Sequence, residues 1–205
     1  MFSYQEMKTT PLIAIVGTTG VGKTSLAHAL AHAAGLKLGL EQHTDRPFQT
    51  LFNADKRYGL ANQIDYLLLR AEQERELRTS GRIGLVDGGL DQDFHGFTRL
   101  FHARGYLSAA EFDLCRRFYA FIRATLPLPD LIISLQAPAA VIRDRLARRE
   151  RVNIATADDI LLIDTYLTDW LREVWVAKIL PIDTSGADPD YREILQLILP
   201  IIEGL

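Results

Sequence analysis

Gly17-Thr18-Thr19-Gly20-Val21-Gly22-Lys23-Thr24 reads G-x-x-x-x-G-K-T. Glycines at these places let the backbone turn successive N–H groups inward around phosphate oxygens. The flanks agree with that reading. Leu12-Ile13-Ala14-Ile15-Val16 is an apolar run suited to a buried parallel strand. Thr24 to Ala34, rich in alanine and leucine, suits a helix, whose N-terminus adds partial positive charge. In such a loop Lys23 reaches the β- and γ-phosphates of ATP or GTP, and the Thr24 hydroxyl holds Mg²⁺. Gly17 through Ser25 form the phosphate-binding set. A chance glycine-rich turn of this pattern arises in on the order of one chain per hundred, and the flanking strand and helix argue against it here.

The chain has 205 residues, 48% hydrophobic and 24% charged, with a net charge of −3. That suits a single α/β domain and offers no basic field for nucleic acid. The single Cys115 excludes an internal disulfide and a cysteine-based metal cluster. Residues 1–10 carry no signal-peptide core and read as a flexible tail before one domain over 11–205. No apolar run reaches membrane-spanning length, so a soluble cytoplasmic protein is expected.

Leu36 to Leu40 reads as a second strand, with Glu41 at its end. Strand C-terminal ends line the ligand crevice of an open parallel sheet, and a solvated glutamate is the alternative. Pro47 and Phe48 read as a break, and Tyr58 to Thr79 as a long helix that carries Gln63 and Arg70 on one face. Ile83 to Val86 is a third strand ending in Asp87, a position suited to Mg²⁺. Asp91 and Asp93 follow in a loop, without the spaced ligand set of a calcium site. Ser108-Ala109-Ala110-Glu111 is a capping box that opens a helix to about Thr125. Leu131 to Leu135 is a fourth strand, Asp158 to Val176 a helix, Ile179 to Ile182 a fifth strand and Tyr191 to Ile202 the last helix. His28 and His32 lack a third ligand and read as a solvated face. Arg143, Arg145, Arg148, Arg149 and Arg151, on and beyond a helix from Ala139, form the one basic cluster. Cations suit a solvated helix end, but beside a phosphate loop a phosphate clamp is favoured. The alternation predicts a doubly wound parallel sheet of five strands.

Five motifs follow one another in a familiar order. After the phosphate loop, Glu41 to Phe48 keeps the spacing of E-P-x-x-x-N-P-F. Leu51 to Tyr58, with Gln63, follows F-Y-x-D-P-x-R-Y-x-x-x-x-Q. Asp87, Asp93 and Phe97 match an acidic motif at the third strand's end, and Arg145, Arg149 and Arg151 match R-x-x-x-R-x-R. In these the chain resembles the deoxyribonucleoside kinases, especially the short bacterial deoxyadenosine/deoxyguanosine kinase type. The likeness runs from Pro11 to about Asp190.

The resemblance implies a P-loop nucleoside triphosphate hydrolase-like kinase fold with a helical lid at about 146–156. It implies Glu41 as general base on the 5′-hydroxyl of a nucleoside, with Lys23 and Arg145 catalytic and ATP and Mg²⁺ as donor and cofactor. Gln63, Arg70 and Asp93 become base-recognition residues, Phe52 a sugar-side residue, and Arg145, Arg149 and Arg151 the lid on the phosphates. Thr24 and Asp87 become the metal residues, Asp87 through water. It also implies a homodimer packed through helices, Ala109 to Thr125 offering a face, with a heterodimer of related chains as the alternative.

The departures are equally specific. Gly88 and Gly89 stand for the family's arginine and serine, Phe52 for a tyrosine, and Ile154 for a lid glutamate. The last two would pair in the family, and stranding either alone costs about 1–3 kcal/mol, so their joint loss reads as a repacked sugar site. Arg46, in place of an asparagine, is the candidate to brace Glu41 now that residue 88 has no guanidinium. The leading reading is a purine (deoxy)nucleoside kinase. The alternatives are a nucleotide-binding or regulatory subunit with lost catalysis, and a different small-molecule or nucleotide kinase.

Overall fold

In β1 (Leu12–Val16) every residue is buried, because the strand is covered on both faces. The computed structural model describes residues 9–39, 46–147, 157–174 and 177–205. Its elements run α1 (Lys23–Ala34), β2 (Lys37–Gly39), α2 (Pro47–Ala54), α3 (Gly59–Arg78), β3 (Gly84–Asp87) and α4 (Gly89–Gln92). A π-helical stretch (Asp93–Thr98) then leads into α5 (Arg99–Ala103). There follow α6 (Ala109–Arg123), β4 (Leu131–Gln136), α7 (Ala139–Ala147), α8 (Ala157–Glu173), β5 (Lys178–Asp183) and α9 (Arg192–Glu203). The strands form one parallel sheet in the order β2-β3-β1-β4-β5. This is the five-stranded doubly wound sheet expected from the alternation.

Alternate side chains of β1 feed opposite cores. Ile13 and Ile15 pack with Leu26 and Leu30 of α1 and with Ile198 and Ile202 of α9. Leu12, Ala14 and Val16 pack with Leu77, Leu100, Ile163 and Leu167 from helices on the other face. A third cluster, including Phe52, Leu67, Phe101, Cys115 and Ile122, joins α2, α3, α5 and α6. Cys115 is a buried core residue, its thiol pushed up to about 11 chiefly by burial. Pro181 lies on β5, an edge strand, where a missing N–H disrupts no central ladder. Among the described residues no helix is long and apolar enough to cross a membrane.

Some expected boundaries move. Pro47 opens α2 at its first turn, where a proline needs no donor and its φ is already helical; it starts a helix and does not break one. The segment after Asp87 is a helix at once, not a loop. The capping box is present in full: Ser108 accepts from the Glu111 N–H, and the Glu111 carboxylate accepts from the Ser108 N–H.

Candidate active site

The site begins where β1 ends. Gly17, Gly20 and Gly22 have φ of 146°, 88° and 108°, values that side chains with a Cβ rarely adopt. At Gly22 a Cβ would also lie 2.6 Å from the Tyr191 Oη. The ammonium of Lys23 donates to the carbonyls of Gly17 at 2.8 Å and Thr18 at 3.0 Å, which lays it across the loop. The parallel register sets Asp87 beside Ile15. From there its Oδ2 accepts from the Thr24 hydroxyl at 2.5 Å. A hydroxyl and a carboxylate are hard oxygen donors that suit Mg²⁺, a cation that completes its octahedron with phosphate and water. The described residues contain no group of three or more His, Cys, Asp or Glu able to hold a metal. His28 and His32 are exposed on α1.

The three acids at the end of β3 and just after it go to separate partners, which argues against a shared calcium site. Asp87 meets Thr24. Asp91 is buried against Arg123 in a two-pronged pair and accepts from the Tyr119 hydroxyl. Arg123 also grips Glu74, and Arg78 joins Glu74 to Asp130. Asp93 accepts from Arg70 Nε at 2.7 Å.

Arg70 and Asp93 are nearly buried, and Asp93 stands with Gln63 around one cavity. Gln49, Asn62, Gln63, Tyr66, Asp93, Phe97 and Phe101 line it. Gln63 Oε1 accepts from the buried Thr98 hydroxyl at 2.7 Å, so its amino group is the edge left for the cavity. Asn62 Oδ1 is sealed from solvent and has no hydrogen-bond partner among the described residues. Sequence reasoning found Gln63, Arg70 and Asp93 but missed Asn62 and Tyr66. The signal was present: residues 62, 66 and 70 repeat at four-residue spacing on one face of α3.

Other candidates lie elsewhere. Phe52 is core: its ring stacks on Phe101 at 4.5 Å, behind the cavity wall, with the Lys56 ammonium 4.0 Å over it. Arg46 makes a two-pronged ion pair with Asp65 and lies over Tyr66. Arg145 donates to the Val21 carbonyl at 3.0 Å and to Thr184 through its hydroxyl and its carbonyl. That ties α7 to the outer side of the phosphate loop. Neither arginine supplies any of the three atoms nearest to where a Cβ on Gly88 would stand; Gln92 and Arg70 do. Glu41, Arg149, Arg151 and Ile154 lie outside the described residues. A further residue unforeseen from sequence is Gln92, whose Oε1 accepts from the Gly17 N–H at 2.9 Å.

The deoxynucleoside kinase family model matches residues 13–197. The chain belongs to the deoxynucleoside kinase family. Among family relatives, a deoxyadenosine/deoxycytidine kinase of Bacillus subtilis (strain 168) is 27% identical over 143 residues, 68% of this chain and 66% of that protein. A deoxyadenosine kinase of Dictyostelium discoideum is 29% identical over 140 residues, 68% of this chain and 57% of that one. The matched stretch thus spans less than two thirds of either relative. A solved deoxyadenosine kinase from M. mycoides, with products dCMP and dCDP bound, superposes with a TM-score of 0.78 at 18% identity. It covers 95% of this chain and all of that one, which establishes the shared fold.

Proposed function

We propose that the chain transfers the γ-phosphoryl group of ATP to the 5′-hydroxyl of a purine deoxynucleoside. The observation that carries this reading is the Thr24–Asp87 pair beside a phosphate loop, in a chain whose next helices enclose a largely apolar cavity with Gln63 and Asp93 in its wall. The relatives' names support a nucleoside acceptor.

Phosphoryl transfer asks for positioning and charge neutralisation more than covalent chemistry. The loop N–H groups and Lys23 would hold the β- and γ-phosphates, with Arg149 and Arg151 closing from the lid. Mg²⁺, when bound, would neutralise the phosphate oxygens, held by Thr24 directly and by Asp87 through water. Glu41 would accept the 5′-hydroxyl proton as that oxygen bonds the γ-phosphorus and the bond to the β–γ bridging oxygen breaks, releasing ADP. In the cavity the Gln63 amino group is a donor and Asp93, steadied by Arg70, an acceptor, a pairing that fits the mixed edge of a purine. Exposed Leu114 and Phe121 on α6, with Leu68 of α3, support a homodimer through that face.

A panel of deoxynucleosides with ATP and Mg²⁺, scored for monophosphate, tests the reading. Deoxyadenosine or deoxyguanosine should be the best acceptor. Thymidine as the best acceptor would refute the purine assignment. No product from any member would turn the reading to a nucleotide-binding subunit, which the glycine at residue 88 favours.

A further inference from the structure

Residue 88, where the resemblance implies an arginine, is a glycine. Gly88 has φ 81° and ψ −82°, a conformation that a residue with a Cβ rarely adopts. A Cβ built there would stand 3.2 Å from Gln92 Nε2 and 3.9 Å from the nearer Arg70 terminal nitrogen. Backbone and neighbour together leave that space to Gln92.

Gln92 is 4% exposed, at the end of α4, and its carboxamide can face only one way. The Gly17 N–H is a donor, so the group 2.9 Å from it must be the acceptor Oε1. Nε2 is therefore the end turned towards Gly88 and Arg70. Nε2 makes no hydrogen bond among the described residues, yet it is not sealed off as Asn62 Oδ1 is. It lies at the crevice where β1 and β3 end, beside Gly17 and Gly88. The groups around it bracket that crevice: Gly17 begins the phosphate loop, Asp87 next to Gly88 holds the Thr24 hydroxyl, and Arg70 braces Asp93 of the base cavity. A nucleoside with its base in the cavity and its 5′-oxygen aimed at the loop must cross this gap.

We propose that Gln92 is a substrate-contact residue whose Nε2 donates to the 5′-oxygen and the phosphoryl group bonded to it, in place of an arginine at 88. The inference rests on the kinase reading above.

Two variants test it. Gln92→Glu keeps an acceptor for the Gly17 N–H and loses the donor; Gln92→Met is neutral and loses both. Each is titrated calorimetrically with deoxyadenosine, deoxyadenosine 5′-monophosphate and ADP, and assayed with deoxyadenosine and ATP·Mg²⁺. Both variants should lose roughly tenfold or more in monophosphate affinity and roughly 100-fold in kcat, the scale of a lost transition-state donor. Deoxyadenosine affinity should stay within about threefold in both, and ADP affinity within about threefold in Gln92→Glu. Wild-type monophosphate affinity and kcat in Gln92→Glu, with only Gln92→Met impaired and its ADP binding weakened, would reduce Gln92 to a cap on Gly17 and overturn the proposal alone. Wild-type protein that binds neither deoxyadenosine nor its monophosphate would overturn the kinase reading and this proposal together.

Discussion

Thr24 Oγ1 lies 2.5 Å from Asp87 Oδ2. They are 63 residues apart in the chain, and β1 and β3, adjacent and parallel, bring them together at one edge of the phosphate loop. Asp87→Asn should keep the fold and the hydrogen bond but remove the negative charge that this pair offers a cation. The Mg²⁺ concentration for half-maximal turnover should rise about tenfold or more. An unchanged Mg²⁺ dependence would remove Asp87 from the metal's surroundings.

Lys23 lies along the loop against the carbonyls of Gly17 and Thr18 and reaches no apolar core cluster. Lys23→Ala should therefore leave the melting temperature within a few degrees while ATP affinity falls by roughly 100-fold or more. Calorimetry with ATP and a thermal melt decide it; unaltered affinity refutes the role.

Arg70 and Asp93 form a nearly buried ion pair. Losing one member of a buried pair is costly, so Arg70→Met should destabilise the fold by about 3–5 kcal/mol, read by urea unfolding. Thr98→Val leaves Gln63 free to turn. It should raise KM for the preferred nucleoside about tenfold with kcat nearly kept, the mark of lost uniform binding. A fall in kcat with unchanged KM would place Thr98 in the chemistry.

Arg46 was the sequence's candidate to brace Glu41, but its guanidinium is held by Asp65. Arg46→Ala should change kcat by less than about threefold, and stability by about 1 kcal/mol or less for a half-buried pair. A sharp loss of kcat, with the acidic limb of the pH–rate profile moved upward, would restore the bracing role.

His95 is partly buried between Trp170 and Tyr119, and its desolvation there lowers its pKa from the usual 6.5 to about 4. Arg99 and Arg123 push the same way, and Asp91 opposes. The unfolded chain then binds the proton more readily between those values, so stability falls as pH drops from about 6.5 towards 4. The loss should be on the order of 3 kcal/mol. His95→Phe should flatten the urea midpoint against pH in that window; an equal slope in both proteins would refute the assignment.

Local chemistry was legible in the sequence. The phosphate loop is a run of consecutive residues, its glycines are needed by its own backbone, and Lys23 and Thr24 follow directly. The apolar runs of β1 and β4 and the capping box at Ser108 are equally local, and alternation of strands with helices implied the parallel sheet. The expected β2 was less secure: its residues are only partly buried, and the strand is three residues long.

What tertiary structure decided is which polar groups meet. Gln92 reaches Gly17 across 75 residues, Arg123 reaches Asp91 across 32, and Thr98 reaches Gln63 across 35. A glutamine, an aspartate or a threonine reads the same in sequence whether it faces water or a buried partner. Asp91 could be read as a loop acid, Arg46 as a brace and Phe52 as a sugar contact because nothing nearby in the chain says where their side chains end. Burial makes the difference: a polar group taken from water must find a partner, and only the packing of α3, α4 and α6 against the sheet determines which partner is within reach.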